Sequence, residues 1–237
     1  MNIKKGIVAF SLFFVGVMQP AFSVPSSFEL VAESNVTAQG KKISFNTKMS
    51  YSDKKMRMDN DIVTTEKMPA GMNKSIMILD QSKNIAYTLL PSQKQAMKID
   101  MEMMKKMGGA NNNMNMSTSF MENPEKTKEQ LKKMGGKMVG AETVLGHMCD
   151  IWTATQDIPM GNKGEKEKAD VKIWLASKLG IPLKMIITSK KQGEIMNMKA
   201  KSVKTDVKFD SSLFEVPSNY QVTDMQKMLE QMKKVKQ

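Results

Sequence analysis

The chain has 237 residues and a formal net charge of +12 at pH 7, and its 26 methionines far outnumber its 9 phenylalanines. The single cysteine, Cys149, excludes an internal disulfide, so the fold must be held by its own core. With one histidine, His147, and none of the usual hydrolase, metalloprotease, phosphate-loop or dinucleotide motifs, the sequence favours a protein that is not an enzyme.

Residues 1–23 have the pattern of a cleaved secretory signal peptide. Lys4 and Lys5 give a basic start, residues 7–18 form an apolar run, and small residues precede a cleavage position near Ser23. The apolar run is shorter than the roughly 20 residues of a membrane-spanning helix. No cysteine stands at the cleavage position to carry a lipid anchor. The sequence therefore predicts a soluble mature protein in the periplasm.

Residues 28–99 predict a series of short antiparallel strands. Polar turns, such as residues 52–55 and 81–84, separate apolar runs of strand length. Alternation is clearest in the second run, where one face carries Ile43, Phe45, Thr47 and Met49. This spacing is typical of an antiparallel meander.

Residues 100–137 predict a helical and flexible insert rich in Met and Asn. Asp100 can cap a short helix, and polar low-complexity sequence follows it. Asn123 then predicts the start of a second helix with Pro124 at its first position, and paired glycines at residues 135–136 end that helix.

Strands are predicted again over residues 138–203, with a charged loop at residues 161–168, and an amphipathic helix is predicted from Thr223 onward. One stripe of that helix carries Met225, Met228, Leu229, Met232 and Val235. Strands, a helical insert, more strands and a final helix indicate an α+β fold with one large antiparallel sheet, whose apolar face the helices cover. We assign residues 24–222 to this β domain and residues 223–237 to the C-terminal helix.

Three motifs resemble a known family. They are VGAETVLGHMCD at residues 139–150, VKIW with LGIPLK over residues 171–184, and FDSSLFEVPSNY at residues 209–220. In this order they are similar to exported bacterial proteins of the uncharacterised DUF4412-like family, which resembles the lipoprotein-carrier superfamily of LolA, LolB and RseB. The resemblance implies an unclosed half-barrel with helices over its concave face. At the superfamily level it also implies binding of lipid or lipoprotein.

The methionine content predicts a pliant apolar lining, because methionine is flexible and fills irregular apolar space. A concave sheet lined in this way can hold an acyl chain, while basic residues at its rim meet anionic lipid headgroups. We therefore predict a carrier without a cofactor that binds lipid or lipoprotein acyl chains. Its expected cavity residues are Met77, Leu79, Tyr87, Trp152, Trp174, Met185, Met196 and Met198.

Copper binding is the alternative hypothesis, because thioether and thiolate sulfur select Cu(I). Two lysines in the methionine-rich insert, Lys105 and Lys106, would repel a cation there. Cys149 also fits the simpler role of a small buried apolar residue. The candidate metal ligands are Met114, Met116, His147, Met148 and Cys149.

A third possibility is an envelope scaffold that binds another protein through the C-terminal helix. The lysines are spread along the chain, which favours solvated surfaces, and export makes nucleic acid the least consistent anionic partner. We expect a monomer that can also contact an anionic membrane surface.

Overall fold

The computed structural model describes residues 25–38, 41–63, 73–103, 124–160 and 165–228. These residues form a single twelve-stranded sheet with one helix of several turns. The strands are β1 (Ser27–Ala38), β2 (Lys41–Ser52), β3 (Lys55–Val63), β4 (Lys74–Asp80), β5 (Ile85–Leu90), β6 (Gln95–Asp100), β7 (Lys137–Val144), β8 (His147–Met160), β9 (Glu165–Ala176), β10 (Pro182–Ser189), β11 (Gly193–Thr205) and β12 (Gln221–Asp224). Helix α1 is Pro124–Lys133, and two 3₁₀ turns are Pro91–Gln93 and Ser211–Phe214.

The strand order is β12-β6-β5-β4-β3-β2-β1-β11-β10-β9-β8-β7. Every pair is antiparallel except β12 with β6, which is parallel. Within the described residues β7 and β12 do not pair, so the sheet stays open. The predicted α+β fold, an unclosed antiparallel half-barrel covered by short helices, is confirmed.

We call the face of the sheet that α1 covers the inner face. Successive residues of a strand project alternately to this face and to the outer face. Cross-strand register links the residues of the inner face into rows, because directly opposed residues project to the same side. One row runs across seven strands through Trp152, Ile173, Met185, Met198, Ser34, Phe45 and Ile62. A second, well buried row runs through Phe28, Tyr51, Met56, Leu79, Ala86 and Ile99.

The outer face carries ion pairs around β1, the strand that lies between β2 and β11 in the sheet. Lys48 Nζ lies 2.8 Å from the Glu29 carboxylate, and Lys204 Nζ approaches the same group at 3.6 Å. Lys201 Nζ lies 2.6 Å from the carboxylate of Glu33. These charges project away from the inner face, so they leave it free for apolar residues.

A second part of the outer face is covered by the segment after β11. Ile78, Leu89 and Ala96 form a small buried cluster there. Val216 and Tyr220 pack onto it, and Arg57 Nη1 donates a hydrogen bond of 3.0 Å to the carbonyl of Leu213. The motif at residues 209–220 therefore closes one side of the domain.

The predicted β7–β8 hairpin has a two-residue turn. Leu145 and Gly146 both have positive φ, at 50° and 80°. This is the combination that a type I′ turn needs, and it matches the twist of the flanking strands. Glycine at the second position adopts that φ without a steric cost.

The ends of the predicted helices follow their capping residues. The Asp100 carboxylate accepts hydrogen bonds from the amides of Glu102 and Met103, and residues 101–103 are helical. At the end of α1, the amide of Gly136 donates to the carbonyl of Leu131 and that of Gly135 to Lys132, which is a Schellman motif.

Two sequence-based boundaries are wrong. Thr223 belongs to strand β12, and the following helix begins at Met225, because the Asp224 carboxylate caps it by accepting from the Gln226 amide. Residues 165–168, expected in a charged loop, are part of β9, since they pair with residues 157–160 of β8. The signal peptide, most of the methionine-rich insert (residues 104–123) and residues 229–237 lie outside the described residues.

Candidate ligand-binding face

The inner face carries a stripe of methionines that is only partly covered. Opposed residues of β2, β3 and β4 place Met49, Met58 and Met77 side by side, and all three are half-buried. The same row reaches Met97 on β6, whose side chain is 43 % exposed. A flexible apolar surface of this kind fits ligands of variable shape.

Helix α1 covers the other half of the inner face. Its Leu131, 1 % exposed, packs in one cluster with Trp152, Val171 and Ile173. Spacing of three to four residues puts Pro124, Thr127 and Leu131 on the buried side of the helix. The helix is therefore held to the sheet by one apolar contact line.

An ion pair ties α1 to strand β8. Lys128 Nζ lies 3.2 Å from the carboxylates of both Asp150 and Glu125. Burial works against the lysine charge, but the hydrogen bonds to Asp150 and Glu125 outweigh it and raise the pKa of Lys128 above its usual value. The charged lysine is thus the form that stabilises the docked helix.

The start of α1 lies against a tight turn between β9 and β10. Gly180 has φ of +68°, and a Cβ built on it would lie 2.8 Å from Cα of Pro124. Only glycine accommodates both this backbone conformation and this approach. Gly180 therefore fixes the distance between the helix and the sheet.

Two adjoining cavities open where α1 ends. The larger, of about 690 Å³, lies at the point where β8 and β9 continue beyond the start of β7. The smaller is a narrow apolar gap under α1 that has no room for a water molecule. Both are lined by Met134, Thr153, Ala154 and Val171, and the gap also by Leu131, Trp152 and Ile173.

One residue that lines the gap has an unusual polar atom. Trp152 is 4 % exposed, and its indole Nε1 has no hydrogen-bond partner among the described residues. Leaving a buried donor unpaired costs about 1–3 kcal/mol. The sequence does not reveal this unpaired N–H group, because a tryptophan residue in a sequence does not show whether its indole N–H is hydrogen-bonded.

Trp174 lies on the adjacent strand but on the outer face. Its Nε1 donates a hydrogen bond of 2.6 Å to Glu142. Lys184 Nζ lies 4.2 Å from the ring centroid and Lys172 Nζ 4.8 Å, both within cation–π range. Both the N–H group and the ring of Trp174 therefore interact with other residues of the same chain.

The eight residues predicted to line a cavity divide between the two faces. The inner face holds Met77, Leu79, Trp152, Met185, Met196 and Met198. Tyr87 and Trp174 project outward, since Tyr87 opposes Ile78 and Trp174 opposes Lys184. Sequence reasoning did not find Leu131 or Met134, although the amphipathic spacing of α1 could have indicated Leu131.

Of the candidate copper ligands, the structure describes His147, Met148 and Cys149. Met148 and Cys149 lie on opposite faces of β8. Cys149 is fully buried and Met148 is 56 % exposed on the opposite face of β8. Burial raises the pKa of the Cys149 thiol, and the Asp150 and Glu142 carboxylates raise it further, which disfavours the thiolate. His147 precedes them on β8.

Nowhere in the described ranges do three His, Cys, Asp or Glu side chains meet in a group suited to a metal ion. Met114 and Met116 lie outside the described residues, so copper binding stays a prediction.

A search of the same residues for membrane-spanning segments finds no helix with the length and hydrophobicity that crossing a bilayer requires.

Comparison with known structures supports the fold. An uncharacterised conserved protein from Thermus thermophilus matches with a TM-score of 0.50 and 9 % identity, over 84 % of this chain and 91 % of that chain. The Pseudomonas aeruginosa MucA/MucB complex matches with a TM-score of 0.45 and 12 % identity, over 83 % of this chain and 58 % of that one. A proposed outer membrane lipoprotein-sorting protein domain from Vibrio parahaemolyticus gives 0.36 and 8 %, over 80 % and 89 %.

The first likeness shows a shared fold, and the two looser ones carry no functional argument here. Neither the protein-family models nor the curated proteins give a match to the sequence, so the DUF4412-like resemblance stays a prediction.

Proposed function

We propose that the protein is a periplasmic, non-enzymatic carrier that holds the acyl chain of a lipid or lipoprotein on its inner face. The observation that carries the proposal is the half-buried methionine stripe of Met49, Met58 and Met77 on an open sheet. A purely structural face would be buried more completely, because exposed apolar patches are costly and usually mark a binding surface.

The contrast between the faces supports this proposal. The outer face around β1 carries paired charges such as Glu33 with Lys201, while the inner row from Trp152 on β8 to Ile62 on β3 is apolar except for Ser34. An acyl chain has no polar atoms to satisfy, so only the inner face suits it.

A carrier role without catalysis is consistent with the chemistry of Cys149. This thiol donates a long hydrogen bond of 3.5 Å to the carbonyl of His147, and its raised pKa keeps it protonated. A protonated, buried thiol is a poor nucleophile.

The test is a fluorescence titration with a 16-carbon fatty acid that carries an environment-sensitive fluorophore. We expect saturable binding that the double variant Met58→Gln with Met77→Gln weakens at least several-fold, because each glutamine places an amide where the chain lies. The control is Val222→Gln on edge strand β12, an exposed apolar residue facing outward, which should leave binding unchanged.

Native mass spectrometry of protein isolated from the periplasm adds an independent readout. A lipid-sized adduct is the expected result. Lipid-free protein that also fails to bind the fluorescent fatty acid would overturn the proposed function.

A further inference from the structure

The larger cavity opens mainly on the outer face of the sheet, opposite the proposed acyl-binding face. Two neighbouring rows of opposed side chains form its floor. The lysine row consists of Lys137, Thr153 and Lys172 on β7, β8 and β9. The aspartate row consists of Thr155, Asp170 and Thr188 on β8, β9 and β10. Opposed residues, and residues two apart on one strand, project to the same side of a sheet, so both rows face the cavity.

The lysine row offers two cations that lack an anionic partner. Neither Lys137 nor Lys172 has a carboxylate within ion-pair distance among the described residues, whereas Lys201 on the same face is paired with Glu33. The Lys172 Nζ lies 4.8 Å from the centroid of the Trp174 ring, and this contact leaves N–H groups free to donate. Two such ammonium groups in one row are suited to charge-assisted hydrogen bonds with a phosphate group.

The aspartate row has a different chemical character. Asp170 accepts a hydrogen bond of 2.8 Å from the hydroxyl of Thr155, and Thr188 stands opposite Asp170 on the next strand. A carboxylate accepts further hydrogen bonds, and a threonine hydroxyl both donates and accepts. This row therefore suits neutral hydroxyl groups, while the charge of Asp170 disfavours a second anion there.

The dimensions of the cavity point to a ligand larger than an inorganic ion. The two rows lie two residues apart along their strands, which is about 7 Å and comparable with the size of one sugar ring. The cavity volume of about 690 Å³ lies within the roughly 300–1,000 Å³ of small-molecule sites. A polar floor of this kind does not suit an acyl chain, because the chain would satisfy none of its hydrogen-bonding groups.

We propose that this cavity binds a hexose that carries a phosphate group. The phosphate lies at the lysine row, where two lysines balance its charge of about −2. The ring hydroxyls exchange hydrogen bonds with the aspartate row, and Ile186, opposite Lys172, gives the ring an apolar contact. The site lies on the other face from the methionine stripe, so it is additional to the proposed function and independent of it.

Isothermal titration calorimetry with glucose 6-phosphate tests the lysine row. We expect saturable binding, which the double variant Lys137→Gln with Lys172→Gln weakens by about tenfold or more because charge-assisted hydrogen bonds are lost. The matched control is Lys42→Gln with Lys208→Gln, two exposed lysines that do not line the cavity, and it should have no effect. All four side chains are exposed, so thermal unfolding should stay unchanged.

The aspartate row is tested by Asp170→Ala with two ligands. This variant should weaken glucose 6-phosphate binding by about 2- to 10-fold, because acceptors for the ring hydroxyls are lost. It should not weaken the binding of inorganic phosphate, because a negative charge has been removed from the site. Glu129→Ala, an exposed acid on α1, is the control and should change neither titration.

Two further comparisons identify the source of the ligand and separate the two proposals. The methyl glycoside of glucose 6-phosphate resembles a sugar unit within a larger glycan. Equal binding of this glycoside supports a glycan as the source, and weaker binding supports a free sugar phosphate. Lys137→Gln with Lys172→Gln should leave fatty-acid binding unchanged, and Met58→Gln with Met77→Gln should leave glucose 6-phosphate binding unchanged, so either proposal can fail alone.

Three results would overturn the inference. Inorganic phosphate that binds as tightly as glucose 6-phosphate would indicate a site for the free ion. Glucose that binds as tightly as its phosphate ester would show that the lysine row takes no part. Failure of glucose 6-phosphate to bind at millimolar concentration would remove the site.

Discussion

The two tryptophans lie on neighbouring strands and are equally buried, yet their surroundings differ completely. Trp174 on the outer face has its Nε1 bound to Glu142 and its ring flanked by two lysines. Trp152 on the inner face has a covering helix, a narrow adjoining gap and an Nε1 with no hydrogen-bond partner among the described residues. The polar atom of Trp174 is therefore paired within the described chain, whereas that of Trp152 is not.

The largest expected effect comes from loosening the helix over Trp152. Leu131→Ala should destabilise the protein by about 2–5 kcal/mol, because a fully buried leucine side chain is removed from the α1–sheet contact. Urea unfolding measures the change. Lys132→Ala, exposed on the same helix, should stay within about 0.5 kcal/mol of the unmodified protein. Equal effects of the two variants would show that α1 is not held by this contact.

A pair of glycine substitutions tests the spacing between α1 and the sheet. Gly180→Ala and Gly193→Ala both place a side chain at positive φ, at +68° and +71°. Only the first also drives a Cβ against Pro124, since no atom in the described part of the chain lies within 4 Å of a Cβ at Gly193. Both should cost on the order of 1 kcal/mol from backbone strain, with a further loss at Gly180 alone. Equal losses in thermal unfolding would contradict the close approach.

The third prediction concerns the tryptophans directly. Trp174→Phe removes the donor of a hydrogen bond to a carboxylate and should cost roughly 1 kcal/mol more than Trp152→Phe, which removes an unpaired donor. Both variants lose the same ring area, so their difference in urea midpoint reports the hydrogen bonds. A larger loss for Trp152→Phe would mean that its N–H is paired in solution.

The smallest expected effect is a pH dependence of the α1 anchor. Because the folded pKa of Lys128 is raised, its ion pair contributes stability from neutral pH up to the usual lysine pKa, where the lysine is charged and its carboxylate partners are ionised. This contribution is lost as the pH rises through the folded-state pKa, above about 10.5. As the pH rises from neutral, the unmodified protein should therefore lose its advantage over Lys128→Met only in strong alkali. The control Lys132→Met should show no such pH-dependent difference.

Sequence reasoning was reliable where local chemistry decides the structure. The start of α1 at Pro124, its termination by the cap at Gly135 and the turn at Leu145 with Gly146 all follow from capping and turn preferences. The antiparallel sheet follows from alternation in segments such as residues 43–49, where one face is apolar and the other polar.

Sequence reasoning failed where both faces of a strand are buried. In β9, Ile173 and Trp174 are consecutive and both almost inaccessible, so alternation no longer tells the inner side from the outer. Tyr87 likewise lies on the outer face, where the segment that covers it comes from far along the chain. The close approach of Gly180 to Pro124 and the unpaired Trp152 Nε1 depend on tertiary packing, which no local pattern encodes.

The most direct test of the central claim is photo-crosslinking with a palmitic acid that carries a diazirine near the end of its chain. Peptide mass spectrometry then locates the attached residues. Our account predicts labels on inward-facing residues, chiefly Met58, Met77, Met185 and Met198, with little on the outer face. Labels concentrated on the outer face around Glu33 and Lys201, or no specific labelling under saturating fatty acid, would contradict it.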